Sequence, residues 1–321
     1  MKITLEVLTP LHIGSGEEIS PSEYFVDKDS GRLLRLNMNS LFSDPSFVSY
    51  RERFIAEASR QRYIGAILNA ALLKKHPLYS VSLSGDAKSY IGTNKTIVKG
   101  FIKSGGKPYI PGSSLKGSIL SALIWHTLKS NYSSHKAKIN ELLTRRPHNR
   151  KEENEIYSQL MKLSLSLITQ DFKQGRFIQW LSISDGSFGT PEDALEISLA
   201  RVKGARWGRE LPVLYETIKP KQFFKMELKS VKSKFSETEI LDISHKFYLK
   251  VLEKDSVSVD KKSYLLRLGQ GSTAYSTSLL ILAEELGVGG YRIHPPRTRK
   301  RIDGMAMGWV RVMVEQKAKT P

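Results

Sequence analysis

An α+β fold with antiparallel sheets, of the ferredoxin-like kind, is what this sequence predicts. Three observations lead there. Short strands come in hairpin-sized pairs. Helical patterns fall between groups of strands rather than after every strand. The order of elements is roughly β, ββ, α, β, β, α, then ββββ, α, a glycine loop, α and β, which is not the strict alternation of a parallel sheet.

Each element has a local reason. Ile3, Leu5 and Val7 alternate with Thr4 and Glu6, the pattern of a half-buried strand. Tyr24–Val26 and Leu33–Leu36 flank Asp27-Lys-Asp-Ser-Gly31, a hairpin closed by glycine, and Asp27 and Asp29 read as turn formers. Phe54, Ile55, Ala58, Ile64, Ile67, Leu68, Ala71 and Leu72 recur at helical spacing and predict one helix. Tyr79–Leu83 predicts a strand, and Asn94–Lys103 a further strand and loop. The helix that follows carries Ile119, Leu120, Leu123 and Ile124 and runs to about Leu128. The character then changes. Lys136, Lys138, Arg145, Arg146, Arg150 and Lys151 are interspersed with Glu and Asn, over helical patterns near 135–145 and 151–168. These divisions set three parts, 1–128, a helical insertion at 129–175, and 176–321. In the last part, strands are expected over Arg176–Ser184, Glu196–Val202, Leu211–Thr217, Phe223–Val231 and Tyr264–Leu268. Ser236 caps a helix to Leu252, Ser276–Leu286 is helical, and Trp309–Val314 closes the chain as a strand.

Composition narrows the function. Lys and Arg number 50 against 32 Asp and Glu, a net charge of +18, so the expected partner is a polyanion. A membrane is the weaker choice. No segment approaches the ~18 uninterrupted apolar residues of a spanning helix, and no secretory signal or lipidation motif is present, so the expected address is the cytoplasm. There are no cysteines, which excludes disulfides and thiolate metal sites.

Four motifs carry the binding argument. Tyr109-Ile-Pro-Gly-Ser-Ser-Leu-Lys-Gly-Ser118 opens a helix with Ser113 and Ser114 and places Lys116 at its start. Free N–H groups and the helix dipole make such an end a phosphate site. Gly269-Gln270-Gly271 has the letters of a dinucleotide fingerprint. The position where an acidic strand end is needed holds the basic, proline-broken run Tyr291–Arg297, so a close backbone approach to phosphate or to another chain is the expected role. Arg297, Arg299, Lys300 and Arg301 form one basic cluster, and Arg201, Lys203, Arg206 and Arg209 surround Trp207 in a second. Guanidinium and indole groups together track phosphates and stack on bases. The bland alternative is a solvated face, or a pure protein-interaction scaffold with incidental charge.

No histidine pair has metal-ligand spacing and no carboxylate cluster suggests a two-metal nuclease, so no metal or other cofactor is expected. His12 lies in a glycine-flanked loop and is a candidate general base or phosphate donor.

Taken in order, Thr9-Pro-Leu-His-Ile-Gly-Ser-Gly16, Tyr109–Gly117 and the glycine-rich end of the chain resemble the RAMP superfamily, the repeat-associated proteins of CRISPR effector complexes. Leu265–Ser278 and Pro296–Val310 resemble, within it, the family of the fifth-named Csm subunit of type III-A complexes. The resemblance implies RRM-like modules in 1–128 and, in degenerate form, in 176–321. It implies a noncatalytic subunit that caps the complex at the 3′ end of the guide RNA (crRNA) and supports guide maturation. It also implies contact with the terminal backbone RAMP subunit and a small helical subunit. On this resemblance, His12, Gly14, Ser15 and Gly16, with Ser113, Ser114 and Lys116, face RNA phosphates. The rival reading is a metal-independent endoribonuclease using a histidine, with His12 and His126 as candidates.

Overall fold

The computed structural model describes residues 1–58, 60–145, 148–169, 180–203, 210–231, 233–255, 263–272, 274–277, 279–288 and 299–315. Two sheets organise them. In the first, the strands lie in the order Tyr264–Arg267, Trp309–Val314, Lys2–Val7, Phe223–Ser230 and Leu181–Ile183, all antiparallel. Period-two alternation explains the sidedness. Ile3 faces Met226, and Leu5 faces Phe224 on one side and Val312 on the other. All of these are buried. The helices Gly112–Ser130 and Glu237–Asp255 pack against each other and contribute to the same core. Along the chain this reads strand (2–7), helix, strand (181–183), strand (223–230), helix, strand (309–314). With the sheet order above, that is a ferredoxin-like unit with one added edge strand.

The other segments are inserted into this unit. Strand pairing therefore runs across both sequence boundaries, at 128 and 175, because among the described residues the partners of Lys2–Val7 are strands from beyond residue 222. The helices Tyr132–Thr144 and Arg150–Ile168 follow Gly112–Ser130, and the second packs on it. Ile139, Leu142, Leu143, Ile156 and Leu160 are the buried positions that the helical spacing marks.

The second sheet runs Gly14–Ile19, Val98–Phe101, Glu210–Ile218, Leu195–Lys203, Pro77–Leu83, Arg32–Leu36 and Tyr24–Asp27. The antiparallel strands Leu195–Lys203 and Glu210–Ile218 are wedged between Pro77–Leu83 and Val98–Phe101, and each runs parallel to the one it meets. Those two pairings are the exceptions to the antiparallel expectation.

Three local readings need correction. The pattern from Phe54 to Leu72 is not one helix but Arg51–Ala58, a 3-10 turn at Ile64–Ala66 and Ala70–Leu73. Gln61 adopts a left-handed conformation (φ 51°), and Asn69 starts a new cap by accepting the Leu72 N–H at 2.7 Å, so the helix cannot continue. These pieces bury a separate small core with Phe25, Leu36, Leu41 and Phe47. A helix at Gly85–Thr93, capped by Ser84, stands where no element was expected. The expected helix 276–286 is two short ones, Ala274–Thr277 and Leu280–Glu285. The expected strand from Arg176 is seen only as Leu181–Ile183, since 170–179 lie outside the described residues.

Candidate nucleic-acid interface

Two glycine-containing loops from opposite ends of the chain interlock. Gly269 has φ +70°, and a methyl group added there would sit 2.2 Å from the His12 carbonyl oxygen. Only a residue without a side chain fits. The next residue, Gln270, donates its backbone N–H to that same oxygen at 2.8 Å. Gly308 repeats the device (φ +87°), lying 2.2 Å by the same measure from the Leu268 carbonyl oxygen, and donates its N–H to Pro10 at 3.0 Å. Arg267 is the buried clamp beneath. Its guanidinium donates to the carbonyls of Met307 (3.0 Å) and Gly271 (2.6 Å) and lies 5.5 Å from the centre of the Trp309 ring. Burial draws its pKa down to about 10, which leaves it cationic at neutral pH.

Beneath the first loop lies a carboxylate that no motif announced. Glu216 is fully buried. It accepts from the Tyr79 hydroxyl at 2.7 Å, from the Phe101 N–H at 2.9 Å and from the Lys103 ammonium. Burial and this carboxylate both hold the Tyr79 phenol in its protonated form. The Glu216 carbonyl oxygen meets His12 Nδ1 at 2.7 Å, so Nδ1 carries the hydrogen and donates. The imidazole is 1% exposed and tilts against Tyr215 at 4.6 Å between ring centres. Burial lowers its pKa to about 4, with Lys300 and Lys103 adding to the effect against the pull of Glu216.

That state has a pH consequence. The unfolded chain binds a proton at His12 below the ordinary value of 6.5, whereas the folded chain does so only near 4. Stability from this group is thus full above pH 6.5 and falls by about 3 kcal/mol on going down to pH 4. Urea melts across that range, with the His12 ring resonances followed by NMR, measure it. A ring that titrates at its ordinary value would contradict the burial argument.

Around this hub the predicted residues divide. Gly14, Ser15 and Gly16 lie exposed on the edge strand Gly14–Ile19, and Ser15 reaches the Gly100 carbonyl at 3.4 Å. Lys300 brings the C-terminal cluster to the same place, donating to the Tyr215 hydroxyl (3.2 Å) and to Gln270 Oε1 (3.4 Å). The two basic clusters are neighbours. The strand Arg299–Ile302 pairs with Leu195–Lys203, setting Arg301 opposite Arg201 and Arg299 opposite Lys203. The like charges of the directly opposed Arg201 and Arg301 repel, and Arg201 is relieved by Asp86 at 3.2 Å. Arg206, Trp207, Arg209 and Arg297 lie outside the described residues.

The helix start at Gly112 stands elsewhere, on the strand Leu181–Ile183. The Gly112 N–H is taken by the Asp185 carboxylate at 2.8 Å, so an anion from the chain itself already sits there. Ser113 is exposed, and Ser114 and Lys116 are half-buried, with burial lowering the Lys116 pKa. His126 packs edge-on against Phe235 and close to Trp125, far in the chain from any glycine loop. Among the described residues no group of three or more His, Cys, Asp or Glu is placed to hold a metal, and no helix is long and apolar enough to cross a membrane.

Sequence reasoning missed Glu216, Arg267 and Lys103. The signal for Glu216 was present. In the strand Leu211–Thr217 the alternation puts it on the side of Leu214 and Ile218, both buried, where an apolar residue is expected.

Comparison with known proteins agrees with these features. A search of curated proteins finds 32% identity over 139 residues to the CRISPR system Cms protein Csm5 of Methanocaldococcus jannaschii, covering 41% of this chain and 32% of the relative. The match thus spans about a third of that protein's length. Among solved structures, a chain of a cryo-EM Csm–crRNA–target RNA ternary complex of a type III-A CRISPR-Cas system superposes with a TM-score of 0.69 at 21% identity, covering 98% of this chain and 100% of that one. The crystal structure of T. onnurineus Csm5 gives 0.68 at 21%, covering 96% and 99%. The sequence profile of the RAMP superfamily matches residues 4–291. With that match, over a ferredoxin-like core and interlocked glycine loops, the chain belongs to the RAMP superfamily, as its motifs had implied.

Proposed function

We propose that this chain is a noncatalytic RNA-binding subunit of a type III-A CRISPR (Csm) effector complex. It caps the end that holds the 3′ part of the guide RNA and supports guide maturation. Its partners are the guide RNA, the terminal backbone RAMP subunit and a small helical subunit. The observation that carries the reading is the convergence of the His12–Gly16 loop, Gly269–Gly271 and Lys300 at one place, from segments more than 250 residues apart. Main-chain groups and cations in such an arrangement grip a sugar-phosphate backbone, while sequence is read by guide–target pairing. The similarity to Csm5 proteins supports the same assignment.

The noncatalytic part rests on His12. An imidazole that is buried, neutral and committed through Nδ1 to a carbonyl is a poor proton shuttle at neutral pH. Purified protein incubated with repeat RNA in EDTA is expected to leave it intact. Cleavage that disappears in His12→Ala would reverse this part of the proposal.

Binding should be strongly salt dependent. Replacing Lys300 or Lys116 by glutamine is expected to weaken guide-RNA binding and to lower the slope of log K against log salt by about one unit each. Filter binding across a salt series measures it, and an unchanged slope removes that lysine from the interface. Loss of all binding at moderate salt in the wild type would favour a protein scaffold instead.

A further inference from the structure

A hydroxyl, an imidazole and a carboxylate line up in the small helical unit near residues 37–76, and none of them takes part in the interface above. Ser40 Oγ lies 2.8 Å from His76 Nδ1. His76 Nε2 lies 2.8 Å from Asp44 Oδ2. The other oxygen of Asp44 accepts the Ser46 N–H at 2.8 Å. That bond and the imidazole hold the Asp44 carboxyl below its usual pKa, so it is ionised at neutral pH. An ionised carboxylate can only accept, so Nε2 carries the imidazole hydrogen. In the neutral imidazole Nδ1 is then a lone pair that accepts from the Ser40 hydroxyl. The chain of bonds has a single direction, from hydroxyl to base to carboxylate.

Capping does not require this link. Asn37 Oδ1 caps the helix Met38–Phe42 through the Ser40 N–H at 3.1 Å, and Asp44 caps the next turn through Ser46. The Ser40–His76 contact is additional to both. The backbone at His76 is held as well, since its carbonyl accepts the Asn37 N–H at 2.9 Å. Ser40 is exposed, whereas the His76 and Asp44 side chains are only 12% and 14% exposed. A reachable nucleophile backed by a covered base and a covered orienting group is the arrangement that acyl transfer uses.

We propose that, beside the chain's noncatalytic role toward RNA, Ser40, His76 and Asp44 form a nucleophilic relay that acts on carboxylic esters. The Ser40 oxygen bonds to the acyl carbon while its proton passes to His76 Nδ1, and Asp44 stabilises the imidazolium. The bond to the leaving alcohol then breaks, and the alkoxide takes the proton from Nδ1. Water, giving a proton to the same nitrogen, attacks the acyl group on Ser40. The acid departs and the Ser40 oxygen recovers its proton. The unit also exposes Phe42, Val48 and Ile55, which suits an apolar acyl group.

The test uses the full chain. A fluorophosphonate is expected to modify Ser40, located by mass spectrometry, and the modification should fall by roughly tenfold or more in His76→Gln. Hydrolysis of p-nitrophenyl acetate should fall in parallel in Ser40→Ala, which removes only an exposed hydroxyl. The chain has no cysteine, so Ser40→Cys introduces its sole thiol. Alkylation of that thiol by iodoacetamide at neutral pH should slow by roughly tenfold when His76 is also replaced by glutamine. An unmodified Ser40 in the wild-type protein overturns the proposal, and so does a thiol whose reactivity ignores His76. Guide-RNA binding is independent of these residues and should persist in every variant.

Discussion

Replacing Glu216 by alanine is expected to destabilise the fold by about 3–5 kcal/mol, the usual cost of breaking a buried ion pair from one side. The substitution leaves Lys103 charged with an 11% exposed side chain, and it strips the Tyr79 hydroxyl and the Phe101 N–H of their acceptor. A buried donor left unmade costs more than the bond it lost. Glu216→Gln keeps an acceptor for one or two of these donors and should cost less. Urea melts of the two variants separate the cases, and equal, small losses would mean that water reaches the network. The same measurement bears on the interface, because the backbone of residue 216 holds the His12 ring. Both variants keep that backbone carbonyl, so RNA binding by the fraction that remains folded should persist.

Gly269→Ala should come next in size. The added carbon would overlap the His12 carbonyl oxygen, a backbone atom that cannot swing aside, at a φ of +70°. A loss of about 2–4 kcal/mol is expected from clash and left-handed strain together. Gly16→Ala is the control. Its φ is also positive, at +86°, but nothing lies within 4 Å of the added carbon. It should cost only about 1 kcal/mol. Thermal melts that fail to rank the two variants in this order would show that the loops are not locked together.

Much of the fold was legible because alternation and capping are local. The strands at residues 2, 24, 33, 79, 196, 211, 223 and 309 and the capped helix after Ser236 follow from spacing alone. The single helix drawn through Phe54–Leu72 failed because periodicity does not register a left-handed Gln61 or a fresh cap at Asn69. The site was legible in pieces. The motif at His12 and the glycines at 269–271 stand out in the sequence, but their contact joins the two ends of the chain and no short-range rule predicts it. The two basic clusters likewise become one feature only through the register that sets Arg301 opposite Arg201. The Asp185 carboxylate accepts the Gly112 N–H from 73 residues away, a contact that no local rule predicts.

The position of Lys2–Val7 also bears on how the protein is made. A ribosome delivers this segment long before its two neighbours in the sheet, Phe223–Ser230 and Trp309–Val314, and Thr9 waits across 300 residues for the Trp309 N–H. The emerging polypeptide must carry an apolar ribbon with an open edge until the strand Trp309–Val314 has been made, and such edges invite pairing with other chains. Slow, late closure follows from contacts so distant in sequence. During translation, this strand is where a chaperone would be needed.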